Sequence, residues 1–344
     1  LGNQFPKNGK NLFFTMGLND NFRAPLCWIR TDGDQHIGLG HLIRCQALLQ
    51  HIPDAVFLIG QHSQPYIPDG IPYHVVPSAF STQSAQALSK WVRPGDVLVV
   101  DSYAANEAYI HALRDMGCIT IQINDIPSEA LAVDLVINHC PGITEADFSP
   151  CSHRSYWLGL AYRLLRKEFQ HLPPPHPKPG TPHVLICFGG TDGGSVLQKC
   201  LEATTQLNPN WTVTAVVGDL ELASRIAPSR VVLRSRLQAH EMRDLMLNSS
   251  LAWVPASTLA LECLMSGLPI VTGCTAPNQS YIYNGLASFS SVRQIGDWNA
   301  VLPADLISTT TDLLSQPLEF PELPELAPIA QQLAVLCGKK TFKP

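Results

Sequence analysis

No two of the ten cysteines lie closer than eleven positions apart, so the chain has no C-x-x-C pair. That argues against a zinc ribbon or a redox dithiol. Most cysteines sit in apolar contexts, such as GCITIQI (117–123) and VLICFGG (184–190), and read as small buried hydrophobes of a reducing cytosol. The twelve histidines show neither H-E-x-x-H nor another ligand spacing, so no metal and no other cofactor is expected. Charge is scarce: 15% of residues are charged and the net charge is -5, which leaves no basic footprint for nucleic acid. No apolar run approaches the roughly 18–20 residues of a membrane span. The N-terminal NLFF is too short for a signal-peptide core, and residues 1–24 read as a polar tail in which Met16 is a candidate start. G-x-G-x-x-G and the Walker loop are both missing, which weakens a nicotinamide or ATP site. What remains is a well-packed chain of 344 residues, 45% hydrophobic, long enough for two domains.

From residue 25 short apolar runs alternate with amphipathic stretches. LCWIR (26–30), DVLVVD (96–101), CITIQIND (118–125) and DLVIN (134–138) read as buried strands. Residues 41–50 and NEAYIHALRDMG (106–117) read as helices, the second stopped by Gly117. Then HLPPPHPKPGTP (171–182) forbids helix and inner strand and marks a spacer. The alternation restarts at HVLICFGG and continues through WTVTAVVG, VVLRS, LAWVPAS and LPIVTG, with helices between. Two doubly wound α/β units are expected, at 25–170 and 183–320, with 321–344 a tail or a crossover toward the first unit.

Open parallel sheets bind ligands beyond the carboxyl ends of their strands. The residues there are Arg30, Asp32 and the turn IGLGH, then Asp101, Ser102 and Tyr103, then Asn124 and Asp125. In the second unit they are Gly189, Gly190, Thr191 and Asp192, then Ser257 and Thr258, then Asn278 and Gln279. FGGTDGG (188–194) suits either a phosphate held by backbone N–H groups or a plain turn. Glu262, one turn into the helix that Ser257 can cap, suits either the hydroxyls of a ribose or a solvated helix face. His41 stands at a helix start, where the field of free N–H groups favours a neutral ring. Gly38 and Gly40 clear space beside it. The ring is either a general base or a packing and capping histidine.

The ordered series IRTDGDQHIGLGHLIRC, VDSY, NDIPSEALAVDLVIN, LGLAYRLLRKEF, CFGGTD and APNQ resembles the UDP-sugar hydrolases of pseudaminic acid biosynthesis and the related spore-coat polysaccharide proteins. The likeness runs from about residue 26 to 290. It implies two Rossmann-like domains in the glycosyltransferase-B (GT-B) arrangement, similar to the MurG glycosyltransferases. It implies removal of UDP from a UDP-linked diacetamido-trideoxy hexose by water attack at the anomeric carbon, with inversion and without metal. His41 then corresponds to the general base and Tyr103 to a residue of the sugar pocket. Gly189 to Asp192 correspond to the diphosphate loop, Glu262 to the ribose carboxylate, and Asn278 and Gln279 to the diphosphate and sugar contacts. Arg30, Asp32 and Arg44 match the first motif as support, with Asp32 also counted beside the substrate. NHCPG (138–142) has no counterpart in the family pattern. A cytoplasmic monomer acting on a UDP-amino sugar is the expectation. The rivals are a GT-B glycosyltransferase with an alcohol acceptor and a UDP-sugar-binding protein without turnover.

Overall fold

Two parallel sheets organise the chain. The computed structural model of the protein describes residues 26–34, 36–170, 172, 180–189, 194–316, 320 and 323–336. The first sheet contains β1 (Cys27–Thr31), β2 (Val56–Ile59), β3 (Tyr73–Val75), β4 (Val97–Asp101), β5 (Ile119–Ile123), β6 (Leu135–Asn138) and β7 (Ser155–Leu158). Its spatial order is β3-β2-β1-β4-β5-β6-β7. The helices α1 (Gly40–Leu48), α2 (Thr82–Ala87) and α3 (Glu107–Asp115) connect it. The second sheet contains β8 (His183–Cys187), β9 (Thr212–Val216), β10 (Val231–Arg234), β11 (Leu251–Pro255), β12 (Ile270–Cys274) and β13 (Val292–Asp297), in the order β10-β9-β8-β11-β12-β13. Around it run α4 (Ser195–Thr204), α5 (Leu220–Ile226), α6 (Ala239–Asn248), α7 (Thr258–Met265), α8 (Ser280–Leu286) and α9 (Pro303–Ser315). The chain closes on α10 (Ile329–Leu336). No helix among the described residues is long and apolar enough to cross a membrane.

The continuous apolar strands are explained by burial on both faces. In β4, Val97 and Val99 face the core beneath α1, while Leu98 and Val100 face the core beneath α3. Asn106 caps α3 by accepting from the Tyr109 N–H at 3.0 Å, and Gly117 ends it with φ +78°. The strands read from sequence as second, third and fourth are β4, β5 and β6. Four strands go unread: β3, β7 and β13 are edge strands with partly exposed residues, whereas β2 is interior and goes unread despite its apolar VFLI.

The halves are stitched at several points. Ile329 and Leu333 of α10 pack in the core of the first sheet, and the Ala327 N–H donates to the Ala161 carbonyl at 2.8 Å. Leu160, Leu165 and Phe169, numbered with the first unit by sequence, lie in a core of the second. The chain therefore changes partners soon after β7 ends at Leu158, ahead of the proline segment, because those apolar side chains find their burial there. Cys140, in the loop after β6, also enters that second core. The neighbouring Pro141 carbonyl abuts Gly285 of α8, where no Cβ fits against backbone. Gly285→Ala is expected to lower stability by about 1–3 kcal/mol through overpacking that rigid contact. A shift in the urea midpoint measures it, and an unchanged midpoint would show that the halves give way freely.

Candidate functional site

In both sheets the strand order reverses at one place, between β1 and β4 and between β8 and β11. Such switch points are where open α/β sheets hold ligands. At the first, Asp34 accepts from the N–H groups of His36 and Ile37, both at 2.7 Å, and its own carbonyl accepts from the Gly38 N–H at 2.9 Å. Gly38, at φ +90°, closes this small loop, and α1 begins at Gly40. His41 thus emerges at the start of α1, opposite the end of β4.

The end of β4 is Asp101, fully buried. The His41 ring puts Nδ1 2.6 Å from Asp101 Oδ1. Arg44, one turn further along α1, donates through Nη2 to the same oxygen and through Nε to Oδ2, both at 2.6 Å. Its Nη1 donates to both oxygens of Asp125, at 2.6 and 2.7 Å. The Tyr103 hydroxyl donates to Asp125 Oδ2 at 2.5 Å and accepts from Asn278 Nδ2, of the second half, at 2.7 Å. The Tyr103 ring meets the His41 ring edge-on, with centroids 4.7 Å apart.

Electrostatics sets the protons. Burial works to raise the Asp101 carboxyl, but Arg44 and His41 outweigh it and hold it well below the ordinary carboxylate range. Asp125 is also held low: burial is outweighed by Arg44. Desolvation and the Asp125 carboxylate push the Tyr103 phenol well up, so it remains a proton donor. An ionised Asp101 has no hydrogen to give, so in the neutral ring the His41 proton sits on Nδ1 and Nε2 carries a lone pair. No hydrogen bond from a described residue reaches Nε2. This arrangement is that of an oriented base. A cavity of about 470 Å³ adjoins Asp101 and Tyr103 and is lined also by Asn106, Gln122, Asn124 and Asp125; neither His41 nor a residue of the second half is among its lining.

No family model matches the chain. An uncharacterised protein of Methanocaldococcus jannaschii is 22% identical over 265 residues, 71% of this chain and 54% of that protein. The chain thus spans about half the length of the curated relative it matches. Among solved structures, MurG of Acinetobacter baumannii superposes with a TM-score of 0.58 at 13% identity, covering 84% of this chain and 91% of that one. The glycosyltransferase of kitacinnamycin gives 0.61 at 15%, covering 92% and 95%. The glycosyltransferase VinC in complex with dTDP gives 0.60 at 10%, covering 91% and 99%.

The chain has the GT-B fold.

In the GT-B cleft the expected residues divide. His41, Tyr103, Asp125 and Asn278 come together as described, and Asn124 lines the cavity with its Nδ2 donating to the Ile126 carbonyl at 2.9 Å. Gly40 is open on its side-chain side, with nothing within 4 Å of a Cβ placed there. Gly189 ends the segment after β8 at φ +80°, and Gly190, Thr191 and Asp192 lie outside the described residues. Ser257 caps α7, accepting from the Leu259 N–H at 3.3 Å, and Thr258 opens the helix. Gln279 is turned into its own loop, where its amide bonds the N–H and hydroxyl of Thr275.

Two expectations are corrected. Asp32 is not free for substrate: Oδ2 accepts from the buried Arg30 at 2.6 Å, and Oδ1 accepts from the Gly60 N–H at 2.6 Å and the Ser63 hydroxyl at 3.1 Å. A buried guanidinium needs such a partner, and the pair ties β1 to the loop after β2. Glu262 is neither solvated nor open to a ribose. It is buried, and Arg166 donates to its two oxygens at 2.8 and 2.6 Å. Burial raises the Glu262 carboxyl, with Arg166 opposing.

Sequence reasoning assigns Arg44 only to support and places Asp101 at a strand end without a role, and it passes over Arg166. The first had a signal: Arg44 follows His41 by three positions, which puts both on one helix face. It also passed over His139, in the segment NHCPG. His139 is buried beside Asp125 and Arg44, accepts from the Leu164 N–H at 3.2 Å, and is pushed down to about 4 by burial. An unfolded histidine takes up its proton near ~6.5. Stability is therefore full above about pH 6.5 and drains as pH falls toward the folded value, by up to ~3 kcal/mol from this group. His139→Gln is expected to flatten that part of the stability–pH curve, measured by urea denaturation between pH 7.5 and 4.5. A curve as steep as that of the parent would remove His139 from the account.

Proposed function

We propose that the protein acts on a nucleoside-diphosphate sugar, with His41 as the base that activates a hydroxyl for attack at the anomeric carbon. One observation supports this most: an imidazole whose Nδ1 is tied to a buried, ionised carboxylate has an Nε2 that no described residue bonds, and its ring lies against Tyr103, whose hydroxyl Asn278 of the opposite half bonds. The nucleophile's proton goes to Nε2 as its oxygen bonds to C1 from the face away from the diphosphate. The C1–O bond breaks, the configuration inverts, and the electron pair leaves on the diphosphate. That leaving group needs no proton, so a lone base suffices where a glycoside would demand an acid as well. Backbone N–H groups of the 189–192 loop and the start of α7 at Ser257 and Thr258 are the candidates for holding the diphosphate. The cavity at Tyr103, Asn124 and Asp125 is the candidate for the sugar.

Two nucleophiles compete. The sequence motifs favour water, making the protein a metal-independent hydrolase of a UDP-linked diacetamido-trideoxy hexose on the way to a pseudaminic-type sugar. The fold neighbours favour an alcohol, because those cited by activity are glycosyltransferases, and by that measure transfer is the better supported reading. The deciding experiment incubates UDP-linked amino sugars with the protein alone, without metal, in ¹⁸O-water. A hydrolase releases UDP and free sugar in equal amounts, with the label on C1. A transferase releases UDP at speed only when an acceptor alcohol is added. Label in the UDP would mean attack at phosphorus and would end both readings.

A further inference from the structure

Among the described residues, α8 and the turn before it meet the first half at both ends. Asn278 stands just before α8 and donates to the Tyr103 hydroxyl, while Gly285 near the other end of α8 lies against the Pro141 carbonyl. From Asn278 the hydrogen bonds run without a gap: Tyr103 to Asp125, Arg44 to Asp125 and Asp101, His41 to Asp101. As far as Asp101 each link has one possible direction. The carboxylates only accept and the guanidinium only donates. The Tyr103 proton goes to Asp125, so its oxygen is left to accept from the amide of Asn278. At the His41 end Nδ1 also lies 3.1 Å from Arg44 Nη2, so the proton on Nδ1 is what directs that link to Asp101, and bonds of this kind polarise one another in a low dielectric.

We propose that Asn278 and Tyr103 are positioning residues that couple the docking of α8 to the orientation of the His41 ring, through Asp125, Arg44 and Asp101. This assignment rests on the reading of His41 as the base. It differs from a substrate-contact role for Asn278 in that an amide N–H has a protein acceptor, the Tyr103 hydroxyl. The seat of Gly285 on Pro141 holds α8 at the distance the amide requires. Closure of the cleft and readiness of the base become one event.

The test uses the full chain with Asn278→Ala, which removes the donor, Tyr103→Phe, which keeps the ring and removes the hydroxyl, and the double variant. The first readout is the downfield Nδ1–H proton resonance of His41, assigned by its loss in His41→Asn. Both single variants are expected to move it, and a resonance unmoved in both overturns the coupling. The second readout is steady-state turnover. Each single variant is expected to lose about tenfold in kcat with KM and UDP affinity changed less than about twofold, and the double variant to be no worse than the poorer single one. Losses that multiply to about a hundredfold, or that fall on KM and UDP affinity alone, overturn it. If the parent protein releases no UDP from any sugar, the base reading fails while the resonance still decides the coupling.

Discussion

His41→Asn is expected to cut nucleotide-sugar turnover by about 10²–10⁴ while UDP binds as before. Asparagine keeps a donor where Nδ1–H stands, so Asp101 retains its partner and the fold is not perturbed. Only the lone pair at Nε2 is lost. The effect is specific to the chemical step, because UDP is expected to be gripped by the other half. Single-turnover rates and UDP titration calorimetry on the same preparation separate the two quantities. Turnover within about threefold of the parent would remove the base, since that is far below what general-base catalysis contributes.

Arg44→Met is expected to be the most damaging substitution for stability, at about 3–5 kcal/mol. The arginine is the one cation bonded to both Asp101 and Asp125 among the described residues, and three of its donor contacts reach them at 2.6 Å, with a fourth at 2.7 Å. Methionine fills much of the space and leaves two buried carboxylates facing each other's charge. The pH dependence gives the loss a signature. In the parent both carboxyls are held low, so their stabilisation is full above the ordinary range near ~3.9 and is lost as pH falls below it. In the variant burial acts unopposed and raises them. The folded state then binds protons that the unfolded state has not yet bound, so acidification from pH 7.5 toward 5 restores part of the loss. Urea midpoints for both proteins at the two pH values measure the narrowing gap. A gap that stays constant would mean that packing, not charge, is what Arg44 contributes.

Much of the fold was legible because it is local. DVLVVD, CITIQIND and DLVIN are runs of apolar residues too short for helices and bounded by turn residues, and each forms an interior strand. The edge strands β3, β7 and β13 escaped because much of their length is not buried, and without burial there is no run to see; β2 escaped although it is interior and apolar. The site was legible in position but not in partnership. Strand ends can be listed from the sequence, and His41, Tyr103, Asp125 and Asn278 stand on that list. Asp32 stands on it too and Glu262 lies one turn into the helix after it, yet each is committed to an arginine.

The amino-acid sequence by itself determined two doubly wound α/β halves, a histidine at the first helix start and polar residues at the strand ends. It could do so because hydrophobic alternation and helix-end chemistry act over a few residues. The tertiary structure alone decided who bonds to whom. Asp101 lies 60 positions from His41, Asp125 lies 81 from Arg44, and Asn278 lies 175 from Tyr103. Which of these distant groups meet depends on strand order and on how α8 docks. A buried charge is tolerated only where that packing delivers its counter-charge.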